Sequence, residues 1–338
     1  MKFNFKKIAV SKERFSAGVD IGTSFVKAVK LKFDKETVEL CNFILEPIGI
    51  DPRETIKTIS QSFAVDTVTM GIGGLATVIR YVVFPRMSQE ELNKAVKFEA
   101  QKHIPFPISE TNIDTYILHP ELPDNKMLVL LAAAKKDFII QRLKTVEEAA
   151  VKVKIIDLDS LALVNAFNFN YSFSEISENK VVALLNIGAA VSNLNILENG
   201  VPCLSRDIHI AGNNITHKIM DVLSLDLKSA EAAKLNPESI KEAKVVAAVE
   251  TLLGNLAGEL RTSFDFYESQ SASFIKKIFL SGGGSYYAGL RDILANLLGM
   301  EVAVWDPFKK ISFAEGLEED KVKAVSGQLA VAVGLALR

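Results

Sequence analysis

Residues 17–21 form a short apolar run that stops at Gly22-Thr23-Ser24, after which Val29, Leu31 and Phe33 alternate with Lys30 and Lys32. A period of two marks a strand with one covered face, so this stretch predicts a β-hairpin opening a sheet. Residues 38–45 are apolar at both alternating sets of positions and predict a third strand, covered on both sides. The order then returns in the second half of the chain. Asp20-Ile21-Gly22-Thr23-Ser24 aligns with Asn186-Ile187-Gly188-Ala189-Ala190, each at the end of an apolar strand and each followed by a second strand. Glu198-Asn199-Gly200 supplies a hairpin signal, and residues 201–208 read as the next strand. Two related three-stranded units, each followed by helix, imply a duplicated fold.

The segments between these units differ in texture. Phe84-Pro85-Arg86-Met87 ends a strand-like run, and Ser88 with Glu91 has the spacing of a capping box that starts a helix. Leu92, Ala95 and Val96 give that helix an apolar stripe, and Ile104-Pro105-Phe106-Pro107 should stop it, because proline cannot continue the backbone ladder. Two strands at 113–119 and 127–134 and a helix at 137–149 complete a small α/β insertion. Residues 215–274 are helical in pattern throughout, with Val245, Val249, Leu252, Leu256 and Leu260 at helical spacing. The predicted division is a first half of 14–83 and 155–180 completed by 325–338, an α/β insertion at 84–154, a second half of 181–214 and 275–324, and a helical insertion at 215–274.

Composition narrows the function. The 338 residues carry 39 Lys plus Arg against 41 Asp plus Glu, a balance that argues against a general nucleic-acid binder, whose affinity needs a large basic face. Cys41 and Cys203 are far apart, and His103, His119, His209 and His217 never fall at a ligand-like spacing, so no structural metal is expected. No apolar run reaches the roughly 20 residues that span a bilayer, which predicts a soluble chain. The basic leader, with Lys2, Lys6, Lys7, Lys12 and Arg14, lacks the apolar core of a secretory signal but could touch anionic lipid.

The candidate chemistry is phosphate binding. A tight glycine turn exposes successive backbone N–H groups, Thr23 and Ser24 add hydroxyls, Lys27 adds a positive charge, and Asp20 can hold a hydrated Mg²⁺. The matching turn at Asn186, Gly188, Ala189 and Ala190 would grip a polyphosphate from the other side. Gly282, Gly283 and Gly284, followed by Tyr286, come directly after an apolar strand and let the backbone approach a flat ligand. Glu231 and Lys234, three apart on a helix, share a face from which they could reach a ribose and an adenine. Asp157 and Asp159 are weaker candidates for orienting a water. Gly71-Ile72-Gly73-Gly74-Leu75-Ala76 matches a loose dinucleotide pattern but runs into strand-like sequence where that motif needs a helix. No Walker P-loop and no hydrolase nucleophile elbow is present.

Together, residues 18–24, the repeat at Asn186, the triple glycine at Gly282 and the closing run 327–336 resemble the two phosphate motifs, adenosine motif and last helix of the actin-like ATPase superfamily. Within it, Phe84-Pro85-Arg86-Met87, Glu91-Leu92, Glu99-Ala100 and Ile104-Pro105-Phe106-Pro107 resemble the PilM family of type IV pilus assembly proteins, relatives of the division protein FtsA. The resemblance implies an α/β, ribonuclease H-like duplicated fold of two βββα-type halves around a nucleotide cleft, with ATP or ADP and Mg²⁺ as ligands. It also implies a cytoplasmic scaffold at the inner membrane, holding the N-terminal peptide of the membrane protein PilN in a groove beside the insertion. Phe98, Ile104 and Phe106 are the exposed apolar residues that would line it. Further platform proteins, the assembly ATPase and a second copy are other partners the family suggests.

One departure stands out. The second phosphate motif of the superfamily usually begins with an acid, and this chain has Asn186, which can accept from a metal-bound water but cannot act as a base. Binding therefore survives better than hydrolysis. Two other readings stay open: a small-molecule kinase of the same superfamily, which would need a catalytic acid and a polar substrate cleft, and a filament-forming cytoskeletal or division protein. FtsA-like chains end in an amphipathic membrane helix and the secretion relative GspL carries a spanning segment, whereas this chain stops at Arg338, which favours PilM among the relatives.

Overall fold

The computed structural model describes residues 14–35, 37–49, 51–176, 180–236, 238, 242–271 and 273–338; the basic leader at 2–12 lies outside them. The chain divides into two compact units, one of residues 1–72, 145–172 and 305–338 and the other of 73–144 and 173–304.

In the first unit, β1 (Arg14–Ile21), β2 (Phe25–Phe33) and β3 (Val38–Pro47) form an antiparallel meander. β4 (Thr67–Ile72) and β8 (Lys152–Leu158) add in parallel beside β1, giving the order β3-β2-β1-β4-β8, and β14 (Ser312–Phe313) closes the far edge. Between β3 and β4 runs α1 (Pro52–Phe63), which starts on the Asp51 N-cap with proline in its first turn and buries Ile56, Ile59 and Phe63. One expectation fails here. β3 is only half-covered, with Leu40 its one fully buried side chain, because β14 pairs with no more of it than Glu39 and Leu40.

The second unit repeats this plan. β9 (Val181–Ile187), β10 (Ser192–Glu198) and β11 (Val201–Ile208) form the meander, and β12 (Lys277–Ser281) and β13 (Glu301–Val304) add in parallel, giving the order β11-β10-β9-β12-β13. The two sheets therefore share one strand order, with helix joining the third strand to the fourth. That connection here is α6 (Gly212–Leu223), α7 (Leu227–Leu235) and the 28-residue α8 (Ala243–Gln270). Val181, Ala183, Leu185 and Ile187 point to one side of β9 and pack with Leu252, Leu256 and Leu260 of α8 in one core.

The same unit holds a three-stranded antiparallel sheet, β5 (Thr77–Pro85), β7 (Lys126–Lys135) and β6 (Thr111–Leu122) in that order. Strand, one 3-10 turn at Gly74–Ala76 and strand follow each other here, so the Gly71 to Ala76 pattern opens no helix. α2 (Gln89–Ala100) lies on this sheet and starts with the expected capping box: Ser88 Oγ accepts from Glu91 N at 3.3 Å and Glu91 Oε2 accepts from Ser88 N at 2.7 Å. The Ser88 backbone N–H, and then its hydroxyl, hold the Glu91 carboxyl below the usual carboxylate range. The sheet is tied to its neighbour by a short polar chain. Tyr81 Oη on β5 and Ser205 Oγ on β11 lie 2.7 Å apart, and Ser205 Oγ donates to Asn195 Oδ1 on β10 at 2.6 Å.

α3 (Lys136–Glu147) leads on to β8, and α4 (Asp159–Asn170) follows it, buried on nearly every side. The last helix, α11 (Ala330–Ala336), is buried throughout and meets its surroundings backbone to backbone. A Cβ built on Gly18 of β1 would lie 2.3 Å from Ala332 O, and one on Gly334 would lie 1.7 Å from Ala162 O of α4. Glycine at both places is a packing requirement. No helix of the described residues is long and apolar enough to cross a membrane.

Gly334→Ala is expected to destabilise the protein by about 3 kcal/mol or more, because the clash is with backbone that cannot rotate away. Gly254→Ala in α8, where a Cβ meets nothing within 4 Å, should instead stabilise by roughly 0.5–1 kcal/mol. Urea unfolding of both variants measures the contrast, and equal effects would contradict the packing described for α11.

Candidate functional site: paired glycine turns at the strand ends

The two turns seen in the sequence are the same structure built twice. In the first unit Gly22 N donates to Phe25 O at 3.0 Å, and in the second Gly188 N donates to Val191 O at 3.0 Å. Asp20 faces Lys27 across the first hairpin, and Asn186 faces Asn193 across the second. Chemistry separates the copies. Lys27 Nζ and Asp20 Oδ2 form a 2.6 Å ion pair with side chains only 17% and 8% exposed, whereas the corresponding pair in the second unit is two neutral amides, Asn186 Nδ2 donating to Asn193 Oδ1 at 3.4 Å. Thr23 is exposed and Ser24 half-buried, with the Ser24 carbonyl held by Ile48 N at 2.9 Å.

In the second unit the turn is fixed by the start of α6. Gly212 N donates to Gly188 O at 3.0 Å and Asn213 N donates to Ala189 O at 2.8 Å. A planar trans peptide points its N–H opposite to its C=O, so committing these two carbonyls to α6 turns the Ala189 and Ala190 N–H groups away from the helix. They become donors aimed off the turn, the arrangement an anion requires. A third glycine-rich element packs against the same strand end and helix start. Gly282 has φ +86°, a left-handed conformation, and its Cβ would lie 2.3 Å from Ile187 O; a Cβ on Gly212 would lie 3.4 Å from Gly284 Cα. Gly283 and Tyr286 belong to the 3-10 turn that follows, between β12 and α9 (Leu290–Leu298).

Glu231 and Lys234 join this group through a residue that sequence reading passed over. Lys234 is buried, its Nζ 2.6 Å from Glu231 Oε2 and 3.0 Å from Thr216 Oγ1, and the Thr216 hydroxyl donates to Glu231 Oε1 while its oxygen lies 3.1 Å from Gly212 O. The second unit thus gathers Gly188, Ala189, Ala190, Gly212, Thr216, Glu231, Lys234 and Gly284 in one place. Ala211-Gly212-Asn213-Asn214 directly after β11 was the available signal: a glycine before a run of amides at a helix start.

A polar row crosses the same sheet. Ser281 Oγ donates to Asn186 Oδ1 at 3.1 Å, and beyond Asn193 the row ends at Asp207, which accepts from Asn193 Nδ2 at 2.6 Å. Burial pushes the Asp207 carboxyl above its ordinary range, against the opposing pull of the Asn193 hydrogen bond and the His209 charge.

Other candidates stand elsewhere. Asp157 is buried at the end of β8, ion-paired to Arg338 at 2.5 Å and accepting its own neighbour's Leu158 N, which commits it to structure and away from water orientation. Asp159 opens α4 beside Gly71, where a Cβ would lie 2.3 Å from its Oδ1. Of the three apolar groove residues, Phe98 is 76% exposed on α2, but Ile104 is 6% exposed and packs with Val96, Ala100, Leu131 and Ala133. Ile104 N reaches back to Ala100 O at 2.8 Å, which folds the chain after α2 onto the sheet. Phe106 is half-buried against the same cluster, with Lys135 Nζ 4.8 Å above its ring. Among the described residues no group of three or more His, Cys, Asp or Glu is placed to hold a metal ion.

Residues 18–338 match the family model described as type IV pilus assembly protein PilM. A solved PilM-PilN type IV pilus biogenesis complex is similar to this chain with a TM-score of 0.84 and 26% identity, covering 96% of this chain and 98% of that one. The ethanolamine utilization protein EutJ from Carboxydothermus hydrogenoformans shares the fold at a TM-score of 0.54 and 14% identity, over 96% of this chain and 89% of its own. The duplicated sheets are those of the actin-like fold, and the chain belongs to the PilM family of type IV pilus assembly proteins.

Proposed function

We propose that the chain is an ATP-binding, actin-like scaffold of the type IV pilus assembly platform, receiving the cytoplasmic N-terminal peptide of a PilN-like inner-membrane protein. The observation that carries the pilus reading is the likeness to the PilM-PilN complex over nearly the whole of both chains. On this reading the protein is cytoplasmic and peripheral to the inner membrane through its partner.

The nucleotide part rests on the turns. Both are cradles that a side chain would fill: a Cβ on Gly188 would lie 2.7 Å from Val191 O, and one on Gly22 2.9 Å from Lys27 Nζ. Gly22, Thr23, Ser24 and Lys27 in the first unit and Gly188, Ala189 and Ala190 in the second are assigned to phosphate, and Glu231, Lys234, Gly282, Gly283, Gly284 and Tyr286 to the adenosine. Asp20 and Asn186 are the residues assigned to Mg²⁺, which would supply positive charge to offset that of the phosphates. Lys27 then exchanges a carboxylate partner for a phosphate one. Asn186 brings no negative charge and no basic site, so the residues bind and orient without a base at that position, and turnover is weak or absent.

Titration of Mg²⁺ and a fluorescently labelled ATP should give saturable binding with negligible phosphate release. Asp20→Asn should weaken it by about tenfold or more, the loss of one charge-assisted contact, with a melting curve confirming that the variant folds. Absence of binding in the wild type would overturn the nucleotide reading, and rapid turnover on adding sugars would favour a kinase. For the partner, calorimetry with a synthetic peptide of the cognate PilN-like N-terminus is expected to show saturable binding. Phe98→Ala, which removes an exposed ring, should weaken it by about fivefold or more while leaving the melting temperature unchanged. Unaltered affinity would remove Phe98 from the groove.

A further inference from the structure

The polar row across the second unit's sheet has a direction. Ser281, Asn186, Asn193 and Asp207 are cross-strand neighbours on β12, β9, β10 and β11, and each side chain donates to the next, ending at the carboxylate. The shortest bond, 2.6 Å, is the one to Asp207, as a charge-assisted contact should be. An asparagine can present either its oxygen or its NH₂ to a neighbour, but an ionised carboxylate only accepts. Asp207 is therefore the one member of the row that fixes polarity. Its demand for a donor turns the Asn193 NH₂ toward it and the Asn193 oxygen toward Asn186. Asn186 must answer with its NH₂, which leaves its oxygen on the far side, where it accepts from Ser281 and lies 2.8 Å from where a Cβ on Gly282 would stand.

We infer that Asp207 is a positioning residue for the second phosphate turn, acting through Asn193 to make Asn186 present an acceptor oxygen instead of an NH₂ group. The inference rests on the nucleotide reading above, since an acceptor oxygen is what a metal-bound water needs and an NH₂ would repel it. It also accounts for the amide at 186. The fixed acceptor of the turn is set by a carboxylate two strands away, relayed by two amides in register.

The test is the ratio of labelled-ATP affinity in Mg²⁺ to that in EDTA, with the melting temperature of each nucleotide-free variant as a check on folding. Asp207→Asn removes the polarity constraint while keeping size, and should lower the ratio by about fivefold, the equivalent of about 1 kcal/mol. Adding Asn186→Asp in that background places a fixed acceptor at the turn itself and lets the row run the other way, so the double variant should recover the wild-type ratio. A merely structural Asp207 would weaken binding equally in Mg²⁺ and EDTA and would not be rescued by a change at 186. A wild-type ratio in Asp207→Asn, or a double variant as low as the single, would overturn the assignment while leaving nucleotide binding intact. A wild type that binds ATP in neither buffer would sink the nucleotide reading, and this assignment with it.

Discussion

A peptide unit cannot turn its carbonyl and its amide to the same side, and the second glycine turn is organised by that constraint. When α6 claims the carbonyls of Gly188 and Ala189, the following N–H groups must face outward. The claim works only because three glycines allow the backbones to touch: Gly188 against Val191, Gly212 against Gly188 and Gly284, and Gly284 against Ile187. Each contact is between main chains or their nearest atoms, where a side chain could not rotate aside. Strand order, helix start and turn are thus parts of one steric arrangement, and the outward amides are its product. The first unit shares the closing bond, Gly22 N on Phe25 O, but the carbonyl held there is that of Ser24, which accepts from Ile48 N.

The copies share geometry and differ in charge. Asp20 and Lys27 are a nearly dry ion pair. Such a pair gives little net stability, because desolvation offsets the attraction, but removing either member leaves the other buried and unpaired. Its value is then one of readiness: both charges are already desolvated and placed, and either can change partner. Asn186 and Asn193 occupy the matching register without charge, and their carboxylate stands further along at Asp207. The copies keep the cross-strand pair but reverse its direction, Lys27 donating to Asp20 in the first and Asn186 to Asn193 in the second.

The sequence made the repeat legible because a strand end needs glycine wherever the chain must double back tightly, and Gly22 and Gly188 stand at the same step of the same alternation. The capping box at Ser88 and Glu91 was legible for a similar reason: it is local, and both its bonds lie within four residues. What escaped depends on distant segments. β3 looked doubly covered because its residues are apolar, but it runs along the sheet's edge for most of its length, since β14, more than two hundred residues on, pairs only with Glu39 and Leu40. Ile104 was expected to be exposed in a partner groove, yet its amide returns to Ala100 and carries the side chain into the sheet. The spacing of Glu231 and Lys234 put them on one helix face, but only the docking of α7 on α6 buries Lys234 beside Thr216. Gly212 was missed because a glycine ahead of a helix reads as ordinary loop until the strand end it touches is known.

The placement of the three-stranded sheet completes the picture of the second unit. Tyr81 reaches Ser205, and Ser205 reaches Asn195, on the same two strands that carry Asp207 and Asn193 two positions away. A separation of two puts both sets on one face of the sheet. Burial raises the Tyr81 hydroxyl well above the usual phenol range, so this contact stays a neutral hydrogen bond at any pH the protein meets. β10 and β11 therefore carry two polar tasks side by side, one fixing the sheet that bears α2 and Phe98, the other fixing Asn186. Sliding β11 by one residue would turn Ser205 and Asp207 to the opposite face together, so the anchor of the three-stranded sheet and the polar row that ends at Asn186 and Ser281 are set by a single register.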